Sequence, residues 1–431
     1  MVYYNPFLKS CEFNTLRFLY TSLLYLLTPI ILLRLLWRSV RLPAYRRRWA
    51  ERFGFCHLPQ QGYLWIHAVS VGEVQATLPL VRYLQQQYSH HPLLITTMTP
   101  TGAERVRTLF GDQVTHTYLP YDLPGAVNRF LYRVQPVLLI LMETEVWPNL
   151  LHACRHQTIP VILANARLSA RSARGYQYIQ RLIQPALMNI STIAAQTQDD
   201  ADRFLSLGIP PNQVKVTGNL KFDQPLPDNL DMQAQALRTQ WENRPVWIAA
   251  STHEGEEALV LAAFQMIKQQ VPNCLLILVP RHPDRFAKVA ALCHAHTVVK
   301  RSDSSQIMPN TDIYLGDTMG ELLLLYASAD VAFVGGSLVP VGGHNLLEPA
   351  TLSLPIVTGP HTFNFADITT KLVNMGAAIQ IKNSSELANT INRCLKNPEL
   401  RQQMGSLGQQ MVQQNQGALQ KLANIIKCII N

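Results

Sequence analysis

Gly335-Gly336-Ser337-Leu338-Val339-Pro340-Val341-Gly342-Gly343-His344-Asn345-Leu346-Leu347-Glu348-Pro349 stands between two short apolar runs, Asp330-Val331-Ala332-Phe333-Val334 before it and Leu354-Pro355-Ile356-Val357 after it. Apolar runs of this length bounded by glycine and proline read as buried parallel strands, and the stretch between them as a loop that opens into a short helix. The two glycine pairs let the backbone turn at positive φ and come close to a ligand, because no Cβ stands in the way. N–H groups at the start of the following helix face such a ligand, and the helix dipole favours an anion there. Glu348, a turn into the helix, suits hydroxyl donors such as a ribose diol better than phosphate oxygens, since an ionised carboxylate only accepts hydrogen bonds. A tight turn without a ligand explains the glycines alone; His344, Asn345 and Glu348 are three polar side chains that such a turn does not require.

The same alternation of strand, loop and helix extends outward from this stretch. Strands are expected at residues 63–69, 93–98, 114–119, 136–142, 159–164, 192–195 and 214–216, each followed by an amphipathic segment of helical length. Asp223-Gln224-Pro225-Leu226-Pro227-Asp228, with two prolines and no periodicity, then breaks the pattern as a linker. The alternation resumes with strands at 246–250, 275–279, 313–315, 331–334, 356–358 and 377–380. Strand and helix in repeated succession are the signature of doubly wound parallel sheets, so two Rossmann-like domains are expected, with the carboxyl ends of both sheets on a cleft between them. The expected divisions are 1–52 for an anchor and basic segment, 53–222 for the first domain, 223–232 for the linker and 233–431 for the second. The helical stretches 399–414 and 418–430 would brace the two halves.

At 431 residues and 48% hydrophobic content the chain is long enough for two cores of about 200 residues each. Its formal charge of +9 asks for an anionic partner: nucleic acid, anionic lipid or a phosphorylated substrate. Much of the excess sits in Arg34, Arg38, Arg41, Arg46, Arg47, Arg48 and Arg52, beside the uncharged stretch 18–33, which favours a membrane surface over nucleic acid. That stretch is slightly short for a full span, although Arg17 and Arg34 can snorkel, and Tyr20, Tyr25 and Trp37 suit the headgroup region. It reads as an N-terminal anchor, spanning or interfacial, with the arginine-rich side cytoplasmic. A buried core helix is the other reading. The seven cysteines are scattered without a C-x-x-C pair, as reduced thiols are.

The loops after the strands carry the chemistry. His67-Ala68-Val69-Ser70-Val71-Gly72-Glu73-Val74 places Glu73 at a helix N-terminus, where it either complements the dipole or acts as a general base toward an attacking hydroxyl. Thr97-Met98-Thr99-Pro100-Thr101-Gly102 suits phosphate or sugar oxygens, and equally helix capping. Glu143 and Glu145, at the end of an apolar strand, are costly unless used or paired. Arg167, Arg171 and Arg174 offer three cations to an anionic acceptor or to those glutamates. Lys221, in Thr217-Gly218-Asn219-Leu220-Lys221-Phe222-Asp223, aims at the cleft. In the second half, Arg281 directly after a strand is placed as a phosphate or carboxylate fork. His253, His282 and His344 have no metal-motif spacing.

Taken together, Ser70-Val71-Gly72-Glu73, Met142-Glu143-Thr144-Glu145, Asn165-Ala166-Arg167-Leu168-Ser169, Val279-Pro280-Arg281-His282-Pro283, Gly342-Gly343-His344-Asn345 and Gly359-Pro360-His361-Thr362-Phe363-Asn364-Phe365 occur in one order over nearly the whole chain. In this the sequence resembles the 3-deoxy-D-manno-octulosonic acid (Kdo) transferases of Gram-negative lipopolysaccharide synthesis. The resemblance implies the GT-B architecture, a CMP-Kdo donor, a lipid A precursor acceptor and the inner membrane, with the catalytic domains on its cytoplasmic face. It implies no metal, no cofactor and no nucleic acid, the donor being already activated. By it Glu73 is the proton acceptor, Glu143 and Lys221 stabilise the transition state, and CMP is held by Pro280, Arg281, Met319, Gly320, Glu321, Asn345, Leu346, Leu347 and Glu348.

Overall fold

The computed structural model describes residues 6–59, 61–242, 244–303 and 307–430. The first five residues of the expected anchor segment lie outside them. The chain divides into two compact units, 1–224 together with 416–431, and 225–415.

In the first unit seven strands, β1 (Leu64–His67), β2 (Leu93–Thr97), β3 (Thr115–Tyr118), β4 (Leu138–Met142), β5 (Val161–Ala166), β6 (Thr192–Ala195) and β7 (Val214–Val216), form one sheet ordered β3-β2-β1-β4-β5-β6-β7. All neighbours are parallel; Leu64 pairs with Leu93 on one side and with Leu138 on the other. Helices cover both faces, which is why these strands are apolar throughout: Trp65 packs in one core with Phe130, while Leu64 and Ile66 pack in the other with Leu80. The order turns back on itself between β1 and β4, so the crevice at their carboxyl ends is the topological switch point.

The N-terminal helix α1 (Pro6–Arg41) is longer than the uncharged stretch within it. One side is held to the unit by polar contacts: Tyr20 donates to Asp122 at 3.0 Å, and Thr21 and Arg17 to Asn149 at 3.2 and 3.5 Å. The other side leaves Phe18, Leu26, Ile30, Leu33, Trp37 and Val40 exposed, Leu26 by 75%. By length and composition Thr15–Val40 is a candidate membrane span. The arginine collar is smaller than its sequence suggests. Arg52 is buried and donates to the Met98 carbonyl beneath the Tyr118 ring, and Arg48 is tied to Glu51 and the His116 carbonyl. Arg34, Arg38, Arg46 and Arg47 stay exposed.

Further along, short helices α2 (Val71–Ala76), α3 (Pro148–His156), α4 (Ala170–Tyr178) and α5 (Gln180–Leu187) follow β1, β4 and β5. Thr97-to-Gly102 resolves as a cap: the Thr99 hydroxyl accepts the Gly102 N–H at 3.1 Å. The C-terminal helix Ala418–Ile430 corrects the expected second domain of 233–431, because it returns to the first unit and buries Leu422, Ile425 and Ile426 in the core that holds Leu220. Asp223 fastens it, its two carboxylate oxygens accepting from Gly417 and Leu419 N–H at 2.7 Å each. Between the units the irregular backbone ends at Asn229, where the helix Leu230–Gln240 begins inside the expected linker.

The second unit repeats the plan with β8 (Val246–Thr252), β9 (Leu275–Pro280), β10 (Val298–Lys300), β11 (Ile313–Leu315), β12 (Val331–Val334), β13 (Ile356–Thr358) and β14 (Ala378–Gln380), ordered β10-β11-β9-β8-β12-β13-β14. Among the described residues, the edge strand β10 is the strand absent from the sequence reading. Here the switch point lies between β8 and β12. Helix α6 (Glu256–Gln270) follows β8, and α7 (Leu347–Thr351) ends the glycine-rich loop after β12.

Candidate active site

Each switch point is where the sequence concentrates its polar side chains. In the first unit Ser70 is the N-cap of α2, and Glu73 occupies the third helical position. The pair makes a variant of the capping box: the Ser70 hydroxyl accepts the Glu73 N–H at 3.4 Å and donates to Glu73 Oε1 at 2.9 Å, and the Val69 N–H, one residue before the cap, donates to Oε2 at 2.8 Å. The helix-terminus reading of Glu73 is thus seen in the cap. The cap holds the carboxylate still, and each oxygen keeps a lone pair for an incoming proton. Burial pushes the Glu73 carboxyl up; the Val69 N–H opposes this, the Glu143 charge adds to it, and Ser70 and Lys221 pull it back, leaving it above the ordinary range. A carboxylate so placed holds a proton better than an exposed glutamate does.

Across the switch point, β4 is followed directly by Glu143, whose φ of 59° is a left-handed conformation uncommon outside glycine and asparagine. Lys221 Nζ reaches Glu143 Oε1 at 3.2 Å. Lys221 is aimed by a polar frame: Asn219 accepts its N–H at 3.0 Å and donates to Gln196, and Asn165 Oδ1 accepts the Leu220 N–H at 3.0 Å. Asn165 Nδ2 is buried with no hydrogen-bond partner among the described residues. Glu145 belongs to the same cluster, although the sequence offered no role for it. Burial, then the Glu73 charge and, less strongly, that of Glu143, push its carboxyl up to about 7, while the Trp147 indole N–H donates to it at 2.8 Å. Three carboxylates and one ammonium therefore share the β1–β4 crevice.

In the second unit the glycine-rich loop is organised by a residue the sequence reading left aside. Glu256, fully buried at the start of α6, accepts from Gly336 at 2.7 Å, Leu338 at 2.9 Å, Ser337 at 3.0 Å and His253 at 3.2 Å, all backbone N–H groups. The N–H groups that open the loop thus hold an internal carboxylate. Gly335 is required here, because a Cβ would stand 2.7 Å from Glu256 Oε2 and 2.9 Å from each of two β8-end carbonyl oxygens. Farther along, Gly342 and Gly343 have φ of 110° and 76°, and fold the loop back so that Gly343 N–H meets the Gly336 carbonyl. That brings His344 onto His253, Nε2 to Nε2 at 2.8 Å with the rings stacked, and His282 lies edge-on beside His253. Burial, then the Arg281 charge, lower the His344 imidazole to about 3, so it is neutral.

The nucleotide residues named from the resemblance fall into groups. Pro280 ends β9 and Arg281 follows it, near enough for its charge to act on both His253 and His344. Asn345 and Glu348 are joined, the Asn345 amide donating to Glu348 at 3.1 Å while its oxygen accepts the Leu347 N–H. The side chains of Leu346 and Leu347 are buried in the core, so only their backbone is left for a ligand. Met319 is exposed and Gly320 has φ of 88°, on the loop after β11. Glu321 is forked onto Arg301, with its nearest contact 2.7 Å, and takes the Thr318 hydroxyl as well.

The N-terminal part of the chain, residues 47–224, matches the family model of 3-deoxy-D-manno-octulosonic-acid transferase, and residues 249–411 match that of glycosyl transferases group 1. The 3-deoxy-D-manno-octulosonic acid transferase of Haemophilus influenzae is 46% identical over 420 residues, 95% of this chain and 98% of that protein. The chain belongs to the Kdo transferase family. The Bordetella pertussis member is 36% identical over 430 residues, 95% of this chain and 99% of its own length. As a Kdo transferase the chain is a glycosyltransferase of GT-B architecture. In fold alone it is also similar to UDP-GlcNAc 2-epimerase from Neisseria meningitidis, with a TM-score of 0.53 at 15% identity over 86% of this chain and 99% of that one.

Proposed function

We propose that this Kdo transferase moves Kdo from CMP-Kdo to a hydroxyl of a lipid A precursor, with inversion at the anomeric carbon and with Glu73 as general base. The observation that carries the reading is the held, raised-pKa carboxylate of Glu73 at the β1–β4 switch point, beside Glu143 and Lys221. Glu73 takes the proton of the acceptor hydroxyl as that oxygen bonds to the anomeric carbon, while the bond to the CMP phosphate breaks on the opposite face. Glu143 eases the positive charge that develops on the ring, and Lys221 offsets negative charge on the donor carboxylate or the leaving phosphate. On the donor side Arg281 serves the phosphate, and Asn345 with Glu348 serves the ribose diol; Pro280, Met319, Gly320, Glu321, Leu346 and Leu347 shape the CMP site around them. No cofactor enters the scheme. The exposed apolar side of α1 and the arginines at its end support work at the inner membrane, on its cytoplasmic face.

Incubation with CMP-Kdo and lipid A precursor tests this. The expected product is heavier by whole Kdo units, and the new linkage has the anomeric configuration opposite to that of the donor. Release of free Kdo alone, or retention of configuration, contradicts it.

A further inference from the structure

Between α1 and the α4–α5 junction lies a cavity of about 540 Å³ that the transfer chemistry does not use. Leu16, Leu19 and Leu23 of α1 form one wall; Ile179 and Leu182 form the other, with Arg181 among them. The junction is a true break, since Ile179 at φ −114° and ψ 27° ends one helix before the next starts at Gln180, and it leaves Tyr178 91% exposed. On α1, Leu19 and Leu23 begin the row that continues through Leu26, Ile30 and Leu33, all exposed. The mouth of the cavity is thus continuous with the apolar side of α1, and a hydrocarbon chain lying against that side reaches it without crossing polar surface.

Two observations say whose chain it is. Helix α4 links the cavity to the carboxylate cluster: Tyr176, two residues before Tyr178, is close enough to Glu145 to feel its charge. Arg171 and Arg174, both exposed, stand three residues apart, and Arg174 four before Tyr178, on one face of that helix, where they offer two cations suited to a phosphate. We infer that the cavity between α1 and the α4–α5 junction takes an acyl chain of the glycolipid acceptor, with Arg171 and Arg174 toward the acceptor's phosphate. This rests on the transfer reading above.

The test uses the full chain and two acceptors, the acylated lipid A precursor and the same phosphorylated disaccharide stripped of its acyl chains. Leu182→Trp fills the cavity; Ile179→Glu, at a half-exposed position that tolerates charge for folding, places a carboxylate on its wall. The expected result is that the ratio of kcat/KM for the acylated over the deacylated acceptor falls about tenfold in both variants, the equivalent of excluding two or so methylene groups. An unchanged ratio in both overturns the inference while leaving the transfer reading intact. So does a fall that is matched by lost binding to acceptor-free phospholipid vesicles and vanishes in detergent micelles, since the cavity then serves bulk lipid. If the wild-type chain transfers Kdo to neither acceptor, the transfer reading fails first and this one falls with it.

Discussion

At the scale of single residues the site is a problem of like charges. Glu73, Glu143 and Glu145 press on one another, and Lys221 is the cation that pairs with Glu143 among the described contacts. Glu145 carries the clearest consequence. Its carboxyl is raised to about 7 from an ordinary 4.5, so an unfolded chain ionises it first, and this contribution to stability is full below about pH 4.5 and lost as the pH rises through 7. Glu145→Gln, which keeps an acceptor for Trp147, should match the wild type in urea unfolding near pH 4 and exceed it by on the order of 2 kcal/mol near pH 8. A second prediction concerns Lys221, whose charge opposes the rise at Glu73. Lys221→Met should move the acidic limb of the kcat/KM profile to higher pH; a limb that stays put means that the lysine does not reach Glu73. Glu73, Glu143 and Lys221 stood out in the sequence because each lies in the segment that follows a strand easy to see. It left Glu145 without a role, since only the folded crevice shows whose charge it feels.

At the scale of elements, thirteen of the fourteen strands among the described residues were legible, because a sheet covered on both faces writes itself as uninterrupted apolar runs between turn residues. Val298-Val299-Lys300, a three-residue edge strand, was not. The partner of the C-terminal helix was hidden for another reason: amphipathic spacing says that a helix packs, not against what. Its clamp gives a prediction. Asp223→Ala should lower stability by about 1 kcal/mol and raise amide exchange in Ala418–Ile430 ahead of the rest of its unit. Glu256 was equally out of reach, since three of its four backbone partners lie some eighty residues farther along. Glu256→Ala strands several buried N–H groups of the glycine-rich loop, and unfolding should show a loss on the order of 3 kcal/mol. A change within a few tenths would mean that water replaces the carboxylate at no cost.

At the scale of the whole molecule, the positive charge and the long apolar helix pointed to a membrane from the outset, and the structure refines rather than enlarges that reading. Arg48 and Arg52 are spent inside the fold, Arg34, Arg38, Arg46 and Arg47 remain outside, and α1 is fastened to the first unit through Arg17, Tyr20 and Thr21. The account as a whole rests on one carboxylate removing one proton. Its most direct test is the single-turnover rate of Glu73→Gln at saturating CMP-Kdo and lipid A precursor. Glutamine preserves the capping box, so the fold should stand, while the transfer rate should fall by about 10²-fold or more. A folded variant that turns over at nearly the wild-type rate would contradict it.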